Sequence, residues 1–169
     1  HDRLAAKVAL VTGGGRGIGA AIAQRFAKEG ARVAVVTRSE ASGIECVERI
    51  QKAGGEAWLQ IADLGDVEAS NKIVESCVEH YGSIDILIHN AASMVAGLIG
   101  DFSENKLEKV LSVNLKSCFR LSSACLPYFQ ERGGGRLLFT SSITGPRVAM
   151  PEMSYYAASK AGMNGFIRN

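Results

Sequence analysis

The sequence of 169 residues contains no apolar run that approaches the roughly 20 residues needed to cross a bilayer. It has only three prolines and is 47% hydrophobic, which excludes an intrinsically disordered chain. Its four cysteines show neither a Cys-x-x-Cys spacing nor a histidine cluster, so neither a disulfide framework nor a zinc site is predicted. The net charge of +2, with both signs interleaved, gives no indication of a nucleic-acid or membrane partner. We expect one domain, residues 1–169, in a reducing cytoplasm.

The most distinctive stretch is the glycine-rich run from Thr12 to Gly19, which follows an apolar segment and precedes a helical pattern. This order predicts a strand, a tight loop and a helix. Glycine lets a phosphate approach where a Cβ would clash, and a helix N-terminus offers unpaired N–H groups. The stretch therefore predicts a cradle for a dinucleotide pyrophosphate, although a plain glycine turn is an alternative. The candidate residues are Gly13, Gly15, Arg16, Gly17, Ile18 and Gly19.

Short strands rich in Val, Ile and Leu alternate with amphipathic helical patterns along the whole chain. Such strands are covered on both faces, and right-handed crossovers then predict an α/β, Rossmann-type, doubly wound parallel sheet with the order 3-2-1-4-5. Asp66 and Ser103 are the predicted caps of the third and fourth helices, and the fourth is expected to bend or break before Pro127. The predicted strands are 7–12, 32–37, 56–62, 84–89 and 136–140, and the predicted helices are 17–29, 40–53, 66–81, 103–131 and 154 to the end.

The end of the second predicted strand carries Thr37-Arg38-Ser39, where an NAD site usually places an acid for the ribose 2′-hydroxyl. The Arg38 guanidinium would pair with a 2′-phosphate, and Ser39 could add a hydrogen bond. Arg16 adds a second cation from the glycine-rich run. The pattern favours NADP(H) as the cofactor, while NAD(H) stays possible and both arginines could be ordinary surface charges.

Tyr156 and Lys160 lie four residues apart in the last predicted helix. At that spacing they share one helix face, with Cβ atoms about 5–6 Å apart. A lysine ammonium beside a phenol favours the phenolate and lowers the pKa of the tyrosine, which suits a general acid or base for carbonyl and alcohol interconversion. A chance pair is the alternative. Tyr155 could instead pair with Ser159, without assistance from a charge.

Further polar residues follow the fourth and fifth predicted strands. Ser142 lies just past the fifth strand, where open α/β sheets bind ligands, and could donate a hydrogen bond to a carbonyl oxygen. The small residues Asn90, Ala91 and Ala92 would let a cofactor ring lie close to the fourth strand. Asn114 stands inside a helix, where Asn is unfavourable unless its side chain or a bent backbone has a role. Alone, Asn114 would more often be a surface polar residue.

Together these motifs resemble the short-chain dehydrogenase/reductase family, and within it an NADP-preferring branch similar to 3-oxoacyl reductases. The resemblance extends from Ala6 to the end of the chain. It rests on the glycine-rich run of residues 12–19, Ala62-Asp63-Leu64, Asn90-Ala91-Ala92, Val113-Asn114-Leu115, Ser142 before Gly145, and Tyr156-x-x-x-Lys160.

The resemblance implies catalytic roles for four residues. Tyr156 would be the general acid or base, and Lys160 would bind the nicotinamide ribose and lower the pKa of Tyr156. Ser142 would polarise the substrate carbonyl. Asn114 would bend its helix and position a water in a proton relay.

The resemblance also implies a cofactor site, a function and an assembly. Asp63 resembles the residue that holds the adenine amine, with Leu64 beside it. The implied function is NADPH-dependent reduction of a ketone or aldehyde, or the reverse reaction, by a homo-oligomer that is a dimer or tetramer. The alternatives are an NAD-linked alcohol or polyol dehydrogenase and a dinucleotide-binding sensor without catalysis.

The chain departs from the family pattern in three places. It carries His89-Asn90-Ala91-Ala92 where the family usually has Asn-Asn-Ala-Gly. Ser142 precedes Tyr156 by one residue more than the commonest spacing, which leaves Ser141 as an alternative. Family members continue into two more strands and a substrate lid. We therefore expect that the sequence ending at Asn169 is part of a longer protein and does not include its C-terminal strands.

Overall fold

The structure is a computed structural model that describes residues 2–168. Five parallel strands form one sheet in the order β3-β2-β1-β4-β5, which confirms the predicted fold class and strand order. The strands are β1 (Val8–Thr12), β2 (Arg32–Thr37), β3 (Glu56–Ile61), β4 (Ile86–His89) and β5 (Arg136–Phe139).

Helices connect the strands in the predicted alternation. A short 3₁₀ turn, Ile99–Asp101, precedes α4, and a π-helical segment, Ser112–Lys116, joins α4 to α5. Most element ends fall within one or two residues of the predicted ones. The helices are α1 (Gly17–Lys28), α2 (Glu40–Lys52), α3 (Ala69–Tyr81), α4 (Glu104–Leu111), α5 (Ser117–Glu131) and α6 (Ser154–Ile167).

The central strand β1 is buried along its whole length, and its side chains pack alternately into two separate hydrophobic cores. Val8 and Leu10 pack with residues of α3 and α5 on one face of the sheet. Ala9 and Val11 pack with residues of α1 and α2 on the other. Burial on both faces explains why the strand reads as a continuous apolar run. The edge strand β5 differs, since Leu137 and Leu138 stay exposed among residues 2–168.

The start of α3 was predicted wrongly. The helix begins at Ala69, and its N-cap, Glu68, makes no side-chain capping bond. Asp66 lies in the turn ahead of the helix, where its Oδ1 accepts a hydrogen bond from the N–H of Glu68 at 3.0 Å. An Asp side chain that binds the backbone two residues on stabilises a turn rather than a helix.

The prediction that the long fourth helix bends or breaks before Pro127 was also wrong. Pro127 lies inside α5, and the helix continues past it. Cys125 and Phe129, on either side of the proline, are buried in the core shared with α3. Burying each such side chain contributes about 1.5–3 kcal/mol, which offsets the roughly 3 kcal/mol that an interior proline costs. The distortion occurs earlier, in the π-helical segment. Ser103 does cap α4, because its Oγ accepts from the N–H of Lys106 at 3.4 Å.

Candidate functional site

The carboxyl ends of β1, β2, β3 and β4 open into a cleft of about 360 Å³. Open α/β sheets bind ligands at this edge. Eight of the predicted cofactor residues line the cleft, although they come from four separate parts of the chain. They are Gly13, Arg16, Arg38, Ser39, Asp63, Leu64, Ala91 and Ala92.

Three glycines of the β1–α1 loop are required by close packing. A Cβ on Gly13, whose φ is +64°, would lie 2.9 Å from the Cα of Ala91. A Cβ on Gly19 would lie 2.1 Å from the carbonyl oxygen of Gly13. A Cβ on Gly15 would lie 2.6 Å from the Oγ of Ser42. The loop can therefore fold this tightly only with hydrogen at these positions.

The fourth glycine, Gly17, serves a different purpose. Its φ is +55°, and no atom of residues 2–168 lies within 4 Å of the position a Cβ would take. It opens α1, whose N-cap Arg16 makes no side-chain capping bond and whose first turn carries no acid. Ile18, next in the helix, is exposed. The uncapped N–H groups and this open space fit an anion such as a pyrophosphate.

Asn90 fixes the geometry of the loop from the neighbouring strand. Its Nδ2 donates to the carbonyl oxygens of Thr12 at 3.3 Å and Gly13 at 3.4 Å, and its Oδ1 accepts from Thr140 Oγ1 at 3.2 Å. The Oγ1 of Thr12 accepts in turn from the N–H groups of Asn90 and Ala91. The Asn90 side chain thus ties together the ends of β1, β4 and β5, while Ala92 beside it is exposed to the cleft.

Arg38 and Asp63, predicted to bind different parts of the cofactor, pair with each other at 3.5 Å. Their side chains are 62% and 53% exposed. Asp63 Oδ1 also accepts from the N–H of Gly65 at 2.8 Å, which fixes the carboxylate. An exposed ion pair is worth about 0–1 kcal/mol, so Arg38 can leave Asp63 for a phosphate at little cost.

Ser39 and Ser42 bring the N-terminus of α2 to the same wall of the cleft. Ser39 is the N-cap, and its Oγ accepts from the N–H of Ser42 at 3.5 Å. The Ser42 hydroxyl donates back to the Ser39 carbonyl at 3.2 Å. Ser42 was not predicted as a site residue. Its position three residues after a capping serine is the signal that could have identified it.

Lys160, on α6, is not among the residues that line this cleft, and it is buried, with only 1% of its surface exposed. Its Nζ donates to the carbonyl oxygen of Thr140 at 2.6 Å and lies 5.7 Å from the centre of the Tyr156 ring. No carboxylate within residues 2–168 forms an ion pair with it. Burial lowers the pKa of this ammonium below its ordinary value, an effect that Cys118 opposes.

The two adjacent tyrosines have different surroundings. Tyr155 is buried, and its Oη accepts from the N–H of Ser103 at 2.9 Å, so it anchors the start of α4 rather than pairing with Ser159. Tyr156 is half-buried, and across the part of the chain that the structure describes its Oη has no hydrogen-bond partner. Only the Tyr156 hydroxyl is therefore available to a ligand.

The two adjacent serines after β5 also differ. Ser141 Oγ donates to Asn164 Oδ1 on α6 at 2.5 Å. Ser142 Oγ accepts from the N–H of Thr144 at 3.1 Å, which leaves its own proton free to donate. The geometry therefore favours Ser142 over Ser141 as the donor to a substrate. Gly145 follows three residues later, with a φ of +96°. This position requires glycine, because a Cβ there would lie 2.2 Å from the Ala157 carbonyl oxygen on α6.

Asn114 lies in the π-helical segment and is fully buried. It is therefore not a surface polar residue, which is what a single Asn in a helix more often is. Its Oδ1 accepts from the N–H of Ser93 at 2.7 Å, and its Nδ2 donates to the Ser93 carbonyl at 2.9 Å. Nδ2 also donates to Ser159 Oγ at 3.0 Å, and Ser159 donates to the Tyr156 carbonyl at 2.7 Å. Asn114 thus connects the loop after β4 to the helix that carries Tyr156 and Lys160.

Three further observations concern residues 2–168. They contain no group of three His, Cys, Asp or Glu side chains placed to hold a metal ion. None of the helices described there has the length and hydropathy needed to span a membrane. All four cysteines are buried free thiols.

Known proteins provide an independent comparison. The model of the family described as short chain dehydrogenase matches residues 7–169. The chain is 36% identical over 168 residues to a probable tetrahydroxynaphthalene reductase of Zymoseptoria tritici, with 99% of this chain and 62% of that protein covered. It is 36% identical over 167 residues to a versicolorin reductase of Emericella nidulans, with 98% of this chain and 62% of that protein covered. The chain therefore spans less than two thirds of the length of these relatives.

Solved structures agree with the sequence comparison. A short chain dehydrogenase from Burkholderia cenocepacia, in complex with NADP, superposes with a TM-score of 0.90 at 38% identity, covering 97% of this chain and 66% of that one. A metagenomic short-chain oxidoreductase in complex with NADP superposes with a TM-score of 0.93 at 31% identity, covering 98% of this chain and 75% of that one. The fold, the matched family model and these identities together show that the chain belongs to the short-chain dehydrogenase family.

Proposed function

We propose that the complete protein is an NADPH-dependent oxidoreductase that reduces the carbonyl of a ketone or aldehyde, or oxidises the corresponding alcohol. The observation that carries this proposal is the Lys160 ammonium, which is buried beside the ring of Tyr156 and forms no ion pair with a carboxylate of residues 2–168. Burying an unpaired charge is unfavourable, and such groups cluster at functional sites. A cation there favours the phenolate that Tyr156 would become after giving up its proton.

The residues of the cleft fit a dinucleotide with a 2′-phosphate. The open N-terminus of α1 at Gly17 would hold the pyrophosphate, and Arg38 and Arg16 would hold the 2′-phosphate with Ser39. Asp63 would hold the adenine amine, between Leu64 and residues 90–92. When bound, NADPH supplies a hydride for a carbonyl carbon. The relatives in complex with NADP support this assignment.

The remaining chemistry belongs to side chains of this chain. Tyr156 Oη, which has no partner within residues 2–168, would give its proton to the substrate oxygen. Ser142 would donate a hydrogen bond to that oxygen as charge develops on it. Lys160 would hold a positive charge beside Tyr156 and contact the nicotinamide ribose. Asn114 would keep α6 and the loop at Ser93 in register around them, and would position a water for the return of the proton.

A homo-oligomer, either a dimer or a tetramer, is part of the proposal. Phe119 and Leu126 on α5 and Ile167 on α6 are large apolar side chains that stay exposed. Association would remove them from water. Light scattering of the complete protein at micromolar concentration should show a species larger than one chain, and a monomer would contradict the proposal.

The function can be tested by a substrate screen with the complete protein. Ketones, aldehydes, 3-oxoacyl thioesters and sugars would be offered with NADPH or NADH, and alcohols with NADP. We expect NADPH oxidation with at least one class of carbonyl compound. Equal or better turnover with NADH would favour an NAD-linked alcohol or polyol dehydrogenase. Tight NADPH binding with no turnover in either direction would favour a dinucleotide-binding sensor.

A further inference from the structure

His89, the last residue of β4, is fully buried and takes no part in the proposed chemistry. Its Nε2 lies 2.6 Å from the Oγ of Ser117, the first residue of α5. The same Oγ donates to the carbonyl oxygen of Val113 at 2.5 Å. A continuous path of hydrogen bonds therefore runs from the end of β4, through Ser117, to the backbone of the π-helical segment.

The direction of each hydrogen bond follows from the number of protons available. The Val113 carbonyl can only accept, so the single proton of the Ser117 hydroxyl is used there. The Ser117 oxygen then accepts from His89, whose Nε2 must carry the ring proton. His89 Nδ1 is an acceptor without a partner in the part of the chain that the structure describes. The other tautomer would bury an orphaned N–H, which is rarer in folded proteins than an under-satisfied acceptor.

This hydrogen-bond path ends next to Asn114, whose side chain connects the loop after β4 to α6. Val113 immediately precedes Asn114, and Cys118 Sγ donates to the Asn114 carbonyl at 3.1 Å. Side-chain donors from the first turn of α5 thus reach two successive carbonyls of the π-helical segment. The Asn114 side chain in turn binds Ser93 and Ser159. A shift of this segment would move the Asn114 amide relative to the helix that carries Tyr156 and Lys160.

We propose that His89 is a positioning residue, which holds the π-helical segment through Ser117 and so fixes the Asn114 side chain in the site. The catalytic consequence rests on the function proposed above. The structural consequence does not, and the two are measured separately.

The structural part is tested by NMR on three variants of the complete protein. His89→Leu removes the ring, Ser117→Ala removes the link, and His89→Asn keeps an N–H donor at the same position. Ser122→Ala is the matched control, because Ser122 is on the same helix and its buried hydroxyl has no partner among residues 2–168. We expect an Nε2–H tautomer of His89 in the wild type. The Asn114 amide signals should shift in His89→Leu and Ser117→Ala, and less in His89→Asn.

The catalytic part is tested by steady-state kinetics on the same set. Loss of one buried hydrogen bond is worth about 1 kcal/mol, so kcat should fall about five- to tenfold in Ser117→Ala and His89→Leu. The Kd for NADPH should stay unchanged, because neither residue lines the cleft. KM should stay unchanged as well, because the side-chain hydrogen bonds of His89 and Ser117 run to one another and to the Val113 carbonyl, not to a residue assigned to the substrate. His89→Asn should recover part of the lost kcat. Ser122→Ala should match the wild type in both measurements.

The outcomes separate cleanly. An Nδ1–H tautomer, or an unmoved Asn114 amide in Ser117→Ala, would overturn the positioning role. A moved amide with wild-type kcat would overturn its catalytic consequence. If the wild type turns over no substrate, the proposed function fails instead, and the NMR result alone decides whether His89 positions Asn114.

Discussion

The two parts of the candidate site, which we call its phosphate end and its tyrosine end, are built from different groups. The phosphate end, formed by the loop of residues 13–19 with Arg38 and Asp63, offers backbone N–H groups and charged side chains that are more than half exposed. The tyrosine end, formed by Asn114, Ser142, Tyr156 and Lys160, contains an amide and an ammonium that are 0% and 1% exposed. One end is open and loosely paired, whereas the other is closed and connected by hydrogen bonds.

This difference matches the role that the proposed function gives to each end. Binding an anion needs charges that can change partners easily, and an exposed ion pair such as Arg38–Asp63 allows that. Stabilising a reacting oxygen needs groups held in place before the reaction, in a region with little water. Changes at the phosphate end should therefore alter cofactor affinity, and changes at the tyrosine end should alter rate or stability.

The largest effect is expected from Tyr156→Phe in the complete protein. If Tyr156 is the general acid, as proposed, its removal should lower kcat by about 100- to 10,000-fold, while the Kd for NADPH stays nearly the same. Tyr155→Phe is the matched control: it removes only the acceptor for the Ser103 N–H and should leave kcat close to the wild type. Retention of most of the activity by Tyr156→Phe would show that the tyrosine end does not supply the proton.

The free energy of unfolding of the protein should depend on pH through the buried ring of His89. Burial, together with the charge of Lys160, lowers the pKa of His89 from 6.5 to about 4. At neutral pH the ring is uncharged in both the folded and unfolded states. Between pH 6.5 and 4 only the unfolded chain binds the proton, so the free energy of unfolding should fall by up to about 3 kcal/mol and then level off for this group. Urea unfolding across this range measures it.

His89→Asn provides the control for that pH dependence. The free energy of unfolding of His89→Asn should lack the part of the pH dependence that comes from the His89 ring, and should keep the part that comes from other groups. Identical pH profiles for the wild type and His89→Asn would mean that His89 is not held neutral by burial, and the tyrosine end would then be less closed than the structure shows.

A smaller effect is expected at the phosphate end from Arg38→Ala. Loss of a charge-assisted hydrogen bond is worth about 1.5–3 kcal/mol, so the Kd for NADPH should rise by roughly 10- to 100-fold. The Kd for NADH and kcat at saturating cofactor should change little. Lys52→Ala, at the far end of α2, removes a cation of the same helix away from the cleft and should change none of them. An equal loss of NADH binding would show that Arg38 does not contact the 2′-phosphate.

The sequence predicted the parts of the site that depend on local pattern. The glycine-rich loop and the Tyr-x-x-x-Lys spacing could be identified because a strand–loop–helix order and an i, i+4 helical face are short-range features. The strand order followed from right-handed crossovers in a doubly wound parallel sheet. The turn role of Asp66 was missed because an Asp ahead of a helix can stabilise a turn or a cap, and the sequence pattern is similar for both.

The parts that could not be predicted depend on contacts between distant residues. Arg38 and Asp63 follow different strands, and their pairing is set by the register of β2 with β3. Asn114 is buried because Ser93 and Ser159, each far along the chain, satisfy its amide. His89 stands at a position where the resembled family usually has Asn, but its link to the π-helical segment depends on how α5 packs against β4.

The central claim, that the complete protein reduces a carbonyl with NADPH, is tested most directly by following the transferred hydrogen. NADPH with both hydrogens at C4 of the nicotinamide replaced by deuterium would be supplied with a substrate found in the screen, and the product would be examined by mass spectrometry and NMR. We expect one deuterium on the carbinol carbon of the product. Consumption of the carbonyl compound without deuterium at that carbon would contradict it.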